Sequence, residues 1–265
     1  MIKDLFDLTN RVALITGGAG LLATEHAIAL HQYGAKIVFT DVNIDVCKQK
    51  ALALKEQNIE VEVMKLDVTS KENWIEVTNQ IINKFGKIDI LINNAGFTNQ
   101  SKTSAFDKEF ENYPLEDWNA IMNVNLTGTF LGCQIVGNQM LKQVKGSIIN
   151  IGSLYGVVSP NHKIYEDTEI RQPVAYSISK NGVIALTKYV ATLWAKKGVR
   201  VNSITPGGIF NGHEGLFLER FEQLNPIGRM SQKEELRGGI VYLASDASSH
   251  VVGHNLVIDG GWTIW

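Results

Sequence analysis

The sequence predicts an α/β fold: a doubly wound parallel sheet of about seven strands with helices on both faces. Three observations lead there. Short apolar runs alternate with longer stretches of helical periodicity along most of the chain. Several runs end in Gly, Asn, Asp or Ser, which suits the carboxyl ends of parallel strands, where ligands bind. A length of 265 residues with 45% apolar content fits one domain with a substantial core. No linker, repeat or low-complexity stretch interrupts the chain, so residues 1–265 are expected to form a single domain.

The elements follow in order. The run 12–16 is apolar and leads into glycines, as a buried first strand does. Positions 21–33 carry a helical pattern that Gly34 stops. The second strand is expected over 36–40, ending at Asp41, and a helix over 44–57. A third strand over 60–66 ends at Asp67, and a helix over 71–85 stops at Gly86. The fourth strand, 88–92, runs into Asn93, Asn94, Ala95 and Gly96. Positions 97–113 are polar and without period. Pro114 opens a helix expected to reach about Met140. The fifth strand, 147–151, has Ser153 just past its end. A second irregular stretch covers 154–173. The helix of Tyr176 is expected to reach Lys197 and stop at Gly198. The sixth strand is 200–204, helices cover 214–224 and 231–243, and a last strand covers 255–258. Right-handed crossovers follow from the alternation.

Composition excludes several classes. A net charge of −2 gives no basic footprint for nucleic acid and no polybasic membrane patch. No stretch has the ~18 uninterrupted apolar residues of a membrane span. The six histidines and the two cysteines, Cys47 and Cys133, match no metal spacing, so no metal site is expected. So few cysteines argue against a disulfide framework, and acids at Asp4 and Asp7 stand where a secretory leader needs an apolar run. Both features point to the cytoplasm.

Chemistry concentrates at a few points. In Ala175-Tyr176-Ser177-Ile178-Ser179-Lys180 a phenol and an ammonium stand four residues apart, on one face of a helix. The ammonium favours the phenolate, so the Tyr176 pKa is expected to fall from its ordinary value of about 10. Such a phenol can exchange a proton at a carbonyl or alcohol carbon. Between the first strand and helix lies Thr16-Gly17-Gly18-Ala19-Gly20-Leu21-Leu22-Ala23. Its Gly18-x-Gly20-x-x-Ala23 fits a dinucleotide fingerprint with Ala in the last place. Glycines there let backbone N–H groups approach a pyrophosphate. Asp41 ends the second strand, where it can accept hydrogen bonds from an adenosine ribose and repel a 2′-phosphate. No Arg or Lys stands beside it in the sequence, so NAD is expected over NADP.

Together these elements resemble the short-chain dehydrogenase/reductase family, its short single-domain branch, over nearly the whole chain. The family's fold is Rossmann-like. Its Tyr-x-x-x-Lys matches Tyr176 and Lys180, its strand-end serine Ser153, and its helix asparagine Asn125. Its adenine-side aspartate matches Asp67, followed by Val68, and its Asn-Asn-Ala-Gly matches residues 93–96. Its Pro-Gly matches Pro206-Gly207, and its late Asp-Gly-Gly matches residues 259–261. The resemblance implies Tyr176 as general acid/base, with Lys180 as its partner and a ligand of the nicotinamide ribose. It implies Ser153 as the group that orients the substrate oxygen, and Asn125 in a water relay. Cofactor contacts are implied from Gly17, Gly18, Gly20, Leu21, Leu22, Asp41, Asp67, Val68, Asn94, Ala95, Gly96, Tyr176, Lys180, Pro206, Gly207 and Ile209. The implied reaction is NAD(H)-dependent interconversion of a secondary alcohol and a carbonyl.

Three departures from the family pattern stand out. The glycine spacing is closer to that of the extended branch. The usual Thr after Pro206-Gly207 is absent, with Asn211 as the expected substitute. The gap of 22 residues between Ser153 and Tyr176 is long.

Two other readings compete. A non-catalytic dinucleotide-binding sensor would not need the Asn-Ser-Tyr-Lys set. A sugar-nucleotide epimerase or dehydratase would need a larger C-terminal part than the fewer than sixty residues after Pro206. The irregular stretches leave carboxyl ends of strands, where substrate specificity is set, and the segment 210–230 is expected to set it with them. Asn99, Gln100, Ser101 and Lys102 in one suit a polar, polyhydroxylated small molecule such as a sugar derivative. So do Tyr155, His162, Tyr165, Glu166, Arg171 and Gln172 in the other. Apolar residues of the Tyr176 helix (Val183, Ile184, Leu186, Val190, Leu193, Trp194) spread over more than one face. Those of the Pro114 helix (Trp118, Ile121, Met122, Leu126, Phe130, Leu131, Ile135, Val136) do the same. This predicts a homodimer or homotetramer.

Overall fold

The computed structural model describes residues 2–97, 109–168 and 170–265. Asn99, Gln100, Ser101 and Lys102 therefore lie outside the described residues. Seven strands form one sheet: β1 (Val12–Thr16), β2 (Lys36–Asp41), β3 (Val61–Lys65), β4 (Ile90–Asn93), β5 (Gly146–Ile151), β6 (Val199–Pro206) and β7 (Asn255–Ile258). Their order is β3-β2-β1-β4-β5-β6-β7, and every pairing is parallel. The chain steps outward from β1 to β3, then lays β4 on the other side of β1. That reversal opens a crevice at the carboxyl ends of β1 and β4.

Side-chain alternation builds the two layers. Ala13 and Ile15 of β1 face one way, with Phe39, Ile92 and Ile149, against α2 (Ala23–Gln32), α3 (Ile44–Lys55) and α9 (Arg237–Ala244). Val12 and Leu14 face the other way, with Val38, Leu91 and Ile148. They pack on α4 (Lys71–Phe85), α6 (Gly128–Gln143) and α7 (Val174–Trp194). Ser70 caps α4 by accepting from the Asn73 N–H, and Gly86 ends it at φ 80°, in the left-handed region. A third cluster lies above the carboxyl ends: Leu154, Ile164, Tyr165, Phe217, Phe221, Met230 and Trp262.

The expected elements are present, with four corrections. A short α1 (Ile2–Leu5) precedes β1. The helix from Pro114 is not continuous. It divides into α5 (Leu115–Met122), a π-turn (Asn123–Thr127) and α6. The stretch 154–173 is not structureless, since 3₁₀ turns cover Leu154–Gly156 and His162–Tyr165. The helix expected over 231–243 is a 3₁₀ turn (Lys233–Leu236) leading into α9, and α8 (Gly215–Leu224) precedes them.

Of the apolar residues that predicted a partner subunit, Val183, Ile184, Val190, Ile121, Leu131 and Val136 are buried by the chain itself. Phe130 of α6 and Leu193 of α7 stay exposed, as do Ile178 and Tyr189 of α7. Among the described residues, no helix is long and apolar enough to cross a membrane. Nor does any group of His, Cys, Asp or Glu there have the arrangement to hold a metal ion.

Candidate active site

A cleft of about 730 Å³ crosses the carboxyl ends of the strands. It runs from Asp41 at the end of β2, past Gly17, Gly20, Leu21 and Leu22 after β1 and Asn94, Ala95 and Gly96 after β4, to Ser153, Tyr176 and Lys180. Asp67 and Val68 line it after β3, and Pro206, Gly207 and Ile209 after β6.

The glycine loop is stitched to β4. The Asn94 side-chain amide donates to the carbonyls of Thr16 (2.9 Å) and Gly17 (3.2 Å), and Thr16 Oγ1 accepts from the Asn94 and Ala95 N–H groups, both at 3.0 Å. Gly17 has φ +68°, and a Cβ there would lie 2.8 Å from Ala95 Cα. Gly18 does not line the cleft. It is buried inward, where a Cβ would meet Cys47 Sγ at 2.6 Å and Phe39 Cβ at 2.8 Å. Its N–H donates to the Thr40 carbonyl at 3.0 Å, so what the structure shows of Gly18 is packing between β1, β2 and α3.

At the adenosine end, Asp41 Oδ2 accepts from the Ala19 N–H at 3.0 Å and Oδ1 from the Asn43 N–H at 2.8 Å. Lys50 of α3 donates to the Gly20 carbonyl at 2.5 Å, and the charge of Asp41 acts on it. Burial lowers the Lys50 pKa. The sequence shows no cation next to Asp41, but one helical excursion later the fold brings one close.

At the other end, the Lys180 ammonium donates to the Ile151 carbonyl at 2.7 Å and stands 5.8 Å from the centre of the Tyr176 ring. Burial pushes the Lys180 pKa down to about 8. Burial also raises the Tyr176 pKa, against a hydrogen bond from Ser153 that lowers it. The expected fall of the Tyr176 pKa is therefore reversed. Withdrawal from water outweighs a lysine whose hydrogen bond goes to the backbone.

Asn125 does not line the cleft either. It is buried in the π-turn, its Oδ1 accepting from the Phe97 N–H (2.7 Å) and its Nδ2 donating to Ser179 Oγ (3.1 Å). A Cβ on Gly96 would lie 3.3 Å from Asn125 Oδ1 and 3.6 Å from Lys180 Nζ, so both groups face one small space.

The stretch 154–173 folds over the cleft. Tyr155, Tyr165, Ile170 and Gln172 line it, whereas His162 and Glu166 are exposed outside it. Arg171 is used structurally, donating to the carbonyls of Tyr165, Thr168 and Ile170. Asn211, the expected nicotinamide ligand, is exposed and off the cleft; His213 lines it instead. The wall formed by His213, Phe217, Phe221 and Met230 falls in the 210–230 segment expected to set specificity. Which residues of that segment face the cleft has one sequence signal, Phe217 and Phe221 four apart on one face of α8. Asp259 accepts from the N–H groups of Gly261 and Thr263, a turn that seats Trp262 flat on Phe221 with centroids 4.2 Å apart.

Comparison with known proteins agrees with this geometry. A family model described as enoyl-(acyl carrier protein) reductase matches residues 21–263. The chain is 34% identical to a D-threitol dehydrogenase of Mycolicibacterium smegmatis, covering 98% of this chain and 95% of that protein. It is 33% identical to an NAD-dependent glycerol dehydrogenase of Listeria innocua, covering 99% and 97%. The crystal structure of a gluconate 5-dehydrogenase from Burkholderia cenocepacia, in complex with NADP and tartrate, superposes with a TM-score of 0.89 at 29% identity over the whole of both chains. With the sheet order, the cleft and full-length similarity in agreement, the chain belongs to the short-chain dehydrogenase/reductase family.

Proposed function

We propose that this protein is an NAD(H)-dependent oxidoreductase that interconverts a secondary alcohol and a carbonyl on a polar, polyhydroxylated small molecule. The observation that carries the proposal is the meeting of Ser153, Tyr176 and Lys180 in a cleft that also reaches Asp41. The cleft fits a dinucleotide, since Gly17 and Gly20 border it at points where a Cβ would press on backbone atoms.

In alcohol oxidation Ser153 holds the substrate oxygen and Tyr176 takes its proton; in carbonyl reduction Tyr176 gives the proton back. When bound, the nicotinamide accepts or donates the hydride at the carbinol carbon. Lys180 orients the cofactor ribose and favours the Tyr176 phenolate. Asn125 and Lys180 bracket the space below Gly96, where a water would pass the proton onward. Asp41 favours NAD(H) by binding the ribose hydroxyls and repelling a 2′-phosphate. The threitol and glycerol dehydrogenases among the relatives support the polyol substrate class. Exposed Phe130, Ile178, Tyr189 and Leu193 support a homodimer or homotetramer, and two buried free cysteines support a reducing cytoplasm.

The test is absorbance of NADH formed from NAD+ with a panel of C3–C6 polyols. Turnover of at least one polyol is expected. NAD+ binding without turnover of any alcohol, and without reduction of the matching ketones, would leave a dinucleotide sensor instead.

A further inference from the structure

Three tyrosines meet at one end of the cleft. Tyr155 lies two residues beyond Ser153, on the 3₁₀ turn Leu154–Gly156, and its N–H donates to Ser153 Oγ at 3.2 Å. Tyr165 comes from the turn His162–Tyr165 inside the long stretch between Ser153 and Tyr176. The two phenol oxygens are hydrogen-bonded to each other, and both rings line the cleft.

Their placement is built. The Tyr165 ring packs on Phe217 with centroids 5.5 Å apart. Arg171 and Arg220 hold the backbone on either side through the carbonyls of Lys163, Tyr165, Glu166, Thr168 and Ile170. Burial raises both phenol pKa values, that of Tyr155 to about 12. Both groups therefore stay neutral hydroxyls, each able to donate and accept. Two phenols share one proton in the bond between them. The second O–H and the remaining lone pairs are left for a ligand.

We propose that the Tyr155–Tyr165 pair binds the hydroxyl on the carbon next to the reacting carbon, so that the enzyme selects 1,2-diols and α-hydroxy ketones over simple secondary alcohols. This rests on the oxidoreductase reading above and names the substrate class for the same site. Ser153 and Tyr176 take the reacting oxygen, and the pair begins one residue beyond the residue that follows Ser153. Phe217, Phe221 and Met230 offer no hydrogen bond; His213 and Gln172 also line the cleft, but it is Tyr155 that is tied to Ser153 itself, through its N–H.

The experiment compares butane-2,3-diol with butan-2-ol under NAD+, in the wild type, Tyr155→Phe and Tyr165→Phe. Each Phe keeps the ring and its packing and removes only the oxygen. The ratio of kcat/KM for the diol to that for the mono-alcohol is independent of the fraction of protein that is folded. The wild type is expected to prefer the diol, and each variant to lower that ratio roughly ten- to hundredfold, chiefly through KM. A pair that only braces the loop would lower both substrates alike and leave the ratio unchanged, which overturns the inference. A wild type that oxidises both alcohols equally well also overturns it, while the oxidoreductase reading stands. A wild type that oxidises neither alcohol and reduces neither butan-2-one nor 3-hydroxybutan-2-one overturns both.

Discussion

The ammonium of Lys180 donates to the main-chain carbonyl of Ile151 at 2.7 Å, tying α7 to the last residue of β5. Burial holds its pKa near 8, below the ordinary 10.5. The unfolded chain therefore binds more protons between pH 8 and 10.5, and the stability of the fold rises with pH across that window. Below pH 8 the buried charge is a standing penalty. Lys180→Met is expected to abolish turnover yet raise stability at pH 7 by on the order of 2 kcal/mol, net of the lost hydrogen bond. The gain should shrink from pH 8 to 10.5. A Tm below wild type at pH 7 would show that the Ile151 bond outweighs burial.

Tyr176→Phe removes the proton carrier and keeps the ring. Turnover is expected to fall by about 10³-fold or more, with NADH affinity unchanged by fluorescence titration. Because burial raises the Tyr176 pKa, the wild-type rate of alcohol oxidation should climb as pH rises above neutrality. Carbonyl reduction should hold level and then decline. A variant with near-wild-type turnover would remove Tyr176 from the chemistry.

The proposed preference for NAD(H) rests on Asp41, with Lys50 as the nearby cation. The wild type should have a higher kcat/KM with NADH than with NADPH. Asp41→Ala should narrow the gap by about tenfold, because the repulsion goes while Lys50 remains. Adding Lys50→Ala should reverse most of the gain in NADPH use. A wild type that prefers NADPH would overturn this account of Asp41.

Acid should unfold the protein through α2. Glu25, 2% exposed in its side chain, accepts from Arg237 and faces Lys233 at 3.1 Å. Burial works to raise its pKa, but those hydrogen bonds bring it below the ordinary value. Its contribution is present above about pH 4.5 and is lost as pH falls. Next to it, burial lowers the His26 pKa to about 4, so protonation of the unfolded chain costs stability between pH 6.5 and 4. Glu25→Ala should destabilise by about 3–5 kcal/mol. His26→Leu should flatten the dependence of Tm on pH over 6.5 to 4. An unchanged slope would place the acid sensitivity elsewhere.

The sheet was legible because inner parallel strands are apolar runs and their ends are polar. β1 and β7 fall at their expected bounds, and the other five strands shift by a residue or two at one end or both. The break after Met122 was not legible. It depends on Asn125 binding Phe97 and Ser179, which are far from it in sequence. A π-turn also shifts the helical phase. Part of the spread of apolar positions along the Pro114 helix therefore reflects two segments out of step, not a second buried face. In the site, the four-residue spacing of Tyr176 and Lys180 survives folding, since one helix carries both. The relations that escaped the sequence are those between elements. Gly18 faces Cys47, Lys50 reaches Gly20, and α8 with Trp262 closes the wall.

Arg171 and Arg220 grip the main-chain carbonyls of Lys163, Tyr165, Glu166, Thr168 and Ile170. A carbonyl is the same on every residue type, so this part of the hold does not depend on what the positions spell, whereas Ile164, Tyr165 and Thr168 hold the segment through their side chains. Under the role proposed for the Tyr155–Tyr165 pair, Tyr165→Phe would change the choice of substrate by a single codon, with the cofactor half of the protein left as it was.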